Sequence, residues 1–270
     1  MRGTGTGADD TGTLPTLYGV SVGPGDPELM TVAAIRAIRE SDVIAYPLTA
    51  SPRGTAKIAA DTAAAHLEGK ELLEVAIPMG ADEHRGTYAY AEGARRILGH
   101  LDAGRSVSWL SIGDVSLYST FHHLVRHLPR GDYAVKVIPG VPSMCAAAAR
   151  LQVPLALGDE RLIVTSAADA LADPAVLGEC GTRVILKVGS HLEALADGLR
   201  RICPQAHASL AERVGLEGEA LYDDLFEADA CSYLSLAIVT EPTREDQASP
   251  IVSPDSLKPS PMDVGMRVTL

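Results

Sequence analysis

Gly19-Val-Ser-Val-Gly-Pro-Gly-Asp-Pro-Glu28 is the stretch that decides the fold. It closes an apolar run, Leu17 to Val22, and opens a segment with helical spacing. Gly23 and Gly25 admit backbone conformations that other residues resist, and they leave room for a ligand against the chain. Asp26 is a good N-cap and Pro27 suits a first helical position. A strand, a glycine turn and a capped helix in that order mark the carboxyl edge of an open α/β sheet, where ligands bind.

Outward from that turn the same pattern repeats. Strands are predicted at Leu17–Val22, Val43–Tyr46 (halted by Pro47), Leu72–Ile77, Ser106–Ile112 and Ala134–Ile138. Helices are predicted at Pro27–Glu40, from the loop Thr49–Gly54 to about Leu67, then at Thr87–Leu101, Leu117–Leu128 and Met144–Leu151. Single helices between strands argue for right-handed crossovers and a mostly parallel sheet. Three strand ends carry small, turn-forming residues: Gly23-Pro-Gly-Asp26, Ile112-Gly-Asp114 and Pro139-Gly-Val-Pro-Ser143. Each presents backbone donors at one edge of one sheet, so a single cleft is expected there.

After Gln152-Val-Pro154 the texture changes. Arg161–Thr165, Arg183–Val188, His207–Arg213 and Tyr233–Val239 read as strands, with helices near Ala168–Leu177 and His191–Ile202. The expected organisation is two α/β domains, residues 16–156 and 157–241. A disordered tail over 1–15 and a loose one over 242–270 flank them.

Composition narrows the function classes. The 270 residues are 46% hydrophobic but only 4% aromatic, which suits aliphatic helices packed on a buried sheet. A net charge of −12 disfavours generic binding to nucleic acid or anionic membrane. Cys145, Cys180, Cys203 and Cys231 are widely spaced and read as buried thiols in a reducing compartment. The start of the chain lacks the apolar core of a signal peptide and no run is long enough to span a bilayer, so a cytoplasmic location is expected.

Several chemistries lack their residues. Gly23-Pro-Gly25 is followed by no third glycine, which breaks the dinucleotide fingerprint, and no GK[ST] marks a P-loop. No serine or cysteine nucleophile has supporting context. His123 and His127 share a helical spacing, but no carboxylate completes a metal set, and none is expected. Asp114 suits either ligand hydroxyl and amino groups or the cap of the helix after it. Two loops at the same edge are basic, with Arg53 and Lys57 in one and His84 and Arg85 in the other. Such cations suit a polyanionic ligand or an ordinary surface equally well.

Gly19 to Thr31, Gly113-Asp-Val-Ser-Leu-Tyr-Ser-Thr120 and Pro139-Gly-Val-Pro-Ser143 resemble, in order, signature segments of the tetrapyrrole (corrin/porphyrin) methyltransferases. Tyr118-Ser-Thr-Phe121, Pro154-Leu-Ala-Leu-Gly-Asp-Glu160, Leu186-Lys-Val-Gly189 and Tyr233-Leu-Ser235 look most like the members that methylate precorrin-2 or cobalt-factor II at C20. The likeness runs from about residue 16 to 240. It implies a mostly parallel N-terminal sheet, a mixed C-terminal one, a homodimer, S-adenosyl-L-methionine as methyl donor and S-adenosyl-L-homocysteine as product.

By position, the resemblance implies donor contacts at Pro24, Ile112, Gly113, Asp114, Leu117, Pro142, Ser143 and Val188, with Val214 and Ala237 as further candidates. Val115 stands where proline is usual, and Pro142 where a hydroxyl residue is usual. The second change removes a possible hydrogen bond to the donor. Arg53, Lys57, His84 and Arg85 are expected to hold the acetate and propionate arms of the tetrapyrrole. Asp26 is the candidate base for the C20 proton, with an equally good case as a cap. The alternatives are methylation at another ring position or of a diphthine precursor, and a non-catalytic tetrapyrrole carrier. A nicotinamide enzyme is the rival from the residues alone.

Overall fold

The first apolar run forms strand β1 (Thr16–Ser21), and its neighbours explain why all of it but the half-buried Tyr18 is buried. It lies between β5 (Val107–Ser111) and β6 (Ala134–Ile138), parallel to both. β5 pairs on its other side with β2 (Val43–Ser51), which pairs in turn with β4 (Glu71–Pro78), again parallel. A short antiparallel strand, β3 (Gly54–Ala56), folds back on the end of β2. The computed structural model describes residues 14–51, 54–78 and 83–241, with backbone alone at 49–51, 54–56, 78 and 83–86.

A parallel sheet needs cover on both faces, and alternation along the strands provides for it. Val43 and Ala45 join Trp109, Val75 and Leu17 on one face, under α3 (Glu83–Asp102) and α4 (Phe121–Val125). Ile44 and Tyr46 join Val20 and Leu110 on the other, under α1 (Val32–Glu40) and α2 (Ile58–Thr62). Gly19 matters here because a β-carbon on it would stand 2.6 Å from the Phe121 ring, so only glycine lets α4 lie on β1.

Several boundaries differ from the sequence reading. β2 does not stop at Pro47. β5 leaves its ladder at Ala45 and β3 joins only at Thr49, so between them β2 has one neighbour, and an edge tolerates a proline. The helix after the first turn is broken: Asp26 caps a 3-10 turn, Pro27–Leu29, and Thr31 caps α1 proper through the Ala34 amide at 3.1 Å. α3 starts at Glu83, so His84 and Arg85 fall in its first turn rather than in a loop. α4 is far shorter than Leu117–Leu128, because Tyr118 takes a left-handed conformation (φ 53°) that ends any helix there. No cysteine is fully buried: Cys145 and Cys180 are exposed, Cys203 and Cys231 half-buried, and all four are free.

The second half is a mixed sheet in the order β10-β9-β11-β8-β7. Its strands are β7 (Leu162–Ser166), β8 (Thr182–Leu186), β9 (His207–Glu212), β10 (Ala220–Tyr222) and β11 (Ser235–Thr240). β7 and β8 are parallel and the other pairs antiparallel. β10 was not expected, its three residues being too short for a period to register. One face packs on α6 (Ala167–Ala172) and α7 (Leu192–Ile202). The other face is covered by α5 (Ser143–Leu151), which follows β6 yet sets Ala146, Ala147 and Ala148 against Val184, Ala211, Leu236 and Ile238.

β8 carries a fully buried arginine. Arg183 Nη1 donates to the carbonyls of Glu179 (2.6 Å) and Gly181 (2.9 Å) and pairs with Glu241, while Nε and Nη2 have no partner among the described residues. Removing one member of a buried pair strands the other: loss of the Glu241 charge leaves Arg183 buried and unpaired, whereas loss of Arg183 leaves a half-exposed carboxylate that water can reach. Glu241→Gln is therefore expected to cost about 1–3 kcal/mol, a figure held down because its carboxylate is half exposed. Arg183→Met should cost less. Denaturant midpoints of the two variants check the order.

Candidate active site

Because β1 lies between β5 and β6, the turns at their carboxyl ends meet. Gly23 and Gly113 exchange backbone hydrogen bonds, Gly113 N to Gly23 O at 2.6 Å and Gly23 N to Gly113 O at 3.3 Å. Ser21 Oγ donates to Ile138 O at 2.8 Å and accepts from Val115 N at 2.9 Å, joining all three strand ends. A β-carbon on Gly140 would overlap Ser21 and stand 3.1 Å from Gly113 O. Three turns spread over some 120 positions are one packed unit.

Asp114 closes that unit. Its Oδ1 accepts from Ser116 N (2.8 Å) and from the Ser116 hydroxyl, and its Oδ2 from Gly140 N (2.7 Å). Burial pushes the carboxyl upward, but the hydrogen bonds from Ser116 and Gly140 outweigh it, and the net shift is downward. The side chain caps the Ser116 turn, not the expected helix. It is committed to holding turns together.

The donor candidates divide accordingly. Pro24, Ile112, Gly113, Asp114, Leu117, Pro142 and Ser143 lie on or beside the joined turns. Pro142 sits at the N-cap of α5 without a side-chain acceptor, so among the described residues the Ser143 and Met144 amides have no protein partner. Gly113, at φ 72°, would place a β-carbon no nearer than 4.0 Å to anything, with Ser143 N closest. Open space and free amides therefore stand side by side.

From the second half, the turn after β9 docks on the first glycine turn. A β-carbon on Gly215 would lie 2.7 Å from Asp26 N, and one on Gly25 2.9 Å from Gly215 O. This brings Val214 next to the joined turns. Val188 and Ala237 are different: both are fully buried in the second core. Val188 N donates to Ser235 O, and Val188 O accepts from His191 N.

Of the four cations expected to hold substrate, Lys57 has a described side chain. Arg53 lies outside the described residues, and His84 and Arg85 are placed by backbone only. Lys57 is half exposed and faces Asp61 at 3.9 Å. Asp26 Oδ1 accepts from Glu28 N at 2.9 Å, the cap its sequence suggested. His123 stacks on Tyr90 with ring centroids 5.2 Å apart.

A hollow of about 410 Å3 adjoins the second turn, a volume at the lower end for small-molecule sites. Tyr118, from the first half, faces Ser166, Asp169, Lys187, His191 and Tyr233 from the second. Tyr118, Lys187 and Tyr233 fall within the family-like motifs of the sequence, where no role attaches to them. The available signal was Lys187 itself, a charge inserted between an apolar strand and Gly189.

The sequence profile of the Tetrapyrrole (Corrin/Porphyrin) Methylases matches residues 16–229. The chain belongs to that family. It is 36% identical over 236 residues to the cobalamin biosynthesis protein CobIJ of Mycobacterium tuberculosis. That match takes in 83% of this chain but 46% of CobIJ, so the chain spans about half of that relative's length. It is 32% identical over 231 residues to the precorrin-2 C(20)-methyltransferase of a Sinorhizobium species, covering 83% of this chain and 94% of that one. Among solved structures, the uroporphyrin-III C-methyltransferase of Thermus thermophilus, complexed with S-adenosylhomocysteine, matches at TM-score 0.59 and 23% identity. The match covers 84% of this chain and 97% of the other, and at this identity it establishes the fold. Both α/β sheets, parallel then mixed, are thus those of the family.

Proposed function

We propose that the protein transfers the methyl group of S-adenosylmethionine to C20 of precorrin-2 or its cobalt form, releasing S-adenosylhomocysteine. The reading rests above all on similarity along 94% of the Sinorhizobium C20 enzyme, beyond the glycine turns that the whole family shares. The joined turns suit such a donor. The free Ser143 and Met144 amides and the open face of Gly113 offer backbone groups to its polar parts, and the half-buried Ile112 and Leu117 offer apolar surface.

When bound, the donor supplies an electrophilic sulfonium methyl. The chain's own contribution is alignment, which removes a large share of such a barrier by holding the reacting atoms in line. Rigidity of the three turns serves that end, since Ser21 and Asp114 fix their spacing from inside. For the C20 proton Asp26 is the proposed acceptor: Oδ1 is used by Glu28 N, and Oδ2 has no partner among the described residues. The assembly proposed is a homodimer in the cytoplasm. No helix among the described residues is long and apolar enough to cross a membrane.

The test is incubation with labelled donor and either metal-free or cobalt-loaded precorrin-2. A product heavier by a single methyl, placed at C20 by NMR, is expected from one of them. Methyl at another ring carbon, or an untouched macrocycle, overturns the assignment.

A further inference from the structure

We infer that Lys187, held between Tyr118 and Tyr233, is the cation that receives a carboxylate arm of the macrocyclic substrate; this rests on the tetrapyrrole reading above. The Lys187 ammonium stands 4.8 Å from the centroid of the Tyr118 ring and 6.0 Å from that of Tyr233. No carboxylate pairs with it among the described residues, although the protein carries a net charge of −12. Aromatic faces hold a cation without neutralising it, so its full charge stays available to an incoming anion. Asp169 borders the same hollow, but its sign is wrong for that arm and its Oδ2 is engaged by Ser166 Oγ at 2.7 Å.

Backbone strain points to the same place. Four non-glycine residues among those described have positive φ, and Tyr118 (53°) and Lys187 (60°) are two of them, lining one hollow from opposite halves. Such conformations persist where surrounding structure enforces them, and they gather at ligand sites. The backbone two residues beyond Lys187 is held firmly. Gly189 N donates to Ser235 Oγ at 3.0 Å, and a β-carbon on Gly189 would stand 3.2 Å from Tyr233 Cα. The lysine is therefore set in position before any ligand arrives. Its three-residue cluster also adjoins the turn of Asp114, so an arm bound there keeps the ring beside the proposed donor site.

The test compares wild type with Lys187→Asn, a residue that tolerates the left-handed backbone, and Lys187→Arg, which keeps the charge. With precorrin-2 as varied substrate, Lys187→Asn is expected to raise KM about tenfold or more, with kcat changed less than about threefold. Affinity for S-adenosylhomocysteine, from calorimetry, should not move, and Lys187→Arg should restore most of the KM. An unchanged KM overturns the inference. So does an equal loss of S-adenosylhomocysteine affinity, which would give the cation to the donor's own carboxylate. Should wild type methylate neither form of precorrin-2, the functional reading fails by itself, and binding of uroporphyrin III, a stable polycarboxylate macrocycle, then decides. Weaker binding to Lys187→Asn by about tenfold supports the subsite, and equal binding removes it.

Discussion

Gly140→Ala is expected to abolish most methyl-donor binding while leaving the protein folded. The new methyl would overlap Ser21 and press on Gly113 O, so it wedges the third turn away from the first two at once. Neither contact is a flexible side-chain end, and overpacking of this kind costs about 1–3 kcal/mol. The functional loss should be larger than the stability loss. Displacing a positioned group by about 1 Å can cost on the order of a hundredfold in rate. Calorimetry with S-adenosylhomocysteine should show affinity down by tenfold or more, on the order of the same effect. A folded variant that binds as wild type would separate the turns from the donor site.

Asp114→Asn tests the same unit through its hydrogen bonds. The amide can still accept from Ser116, but its NH2 then faces the Gly140 amide, donor against donor. The expected loss is about 2–3 kcal/mol, since a buried charge-assisted acceptor is replaced by a repulsive contact. The pH dependence carries the sign. The folded carboxyl titrates below its ordinary value, so its contribution is whole above that ordinary value and fades as pH falls through the folded one. The stability gap between wild type and variant, from urea denaturation, should therefore narrow on acidification. A gap constant with pH would mean that the charge contributes nothing.

How much of this was legible in the sequence depends on the kind of signal. Strand ends marked by Gly-Pro-Gly, Gly-Asp and Pro-Gly could be read because turn chemistry is local, and strand order then brought them together. Pro47 misled, because its effect on β2 depends on which neighbours reach it, a fact of register rather than composition. The expected helix at Leu117–Leu128 failed at Tyr118, whose left-handed backbone belongs to the hollow it lines and not to its own propensity. The partners of Asp114 lie up to 26 residues away, at Gly140, so its carboxylate read as a helix cap when its main work is across the sheet. Lys187 shows in the sequence only as a charge beside an apolar strand, since its place between two rings exists only once both halves of the chain are assembled.

α5 presents its first amides beside the glycine turns and buries its alanine stripe on the mixed sheet. The same nine residues thus complete a ligand site for one half and a wall for the other. No cut yields two intact pieces. Severed before Ser143, the first half loses the last corner of its cleft; severed after Leu151, the second is left with a bare apolar face. Each half is finished by borrowing.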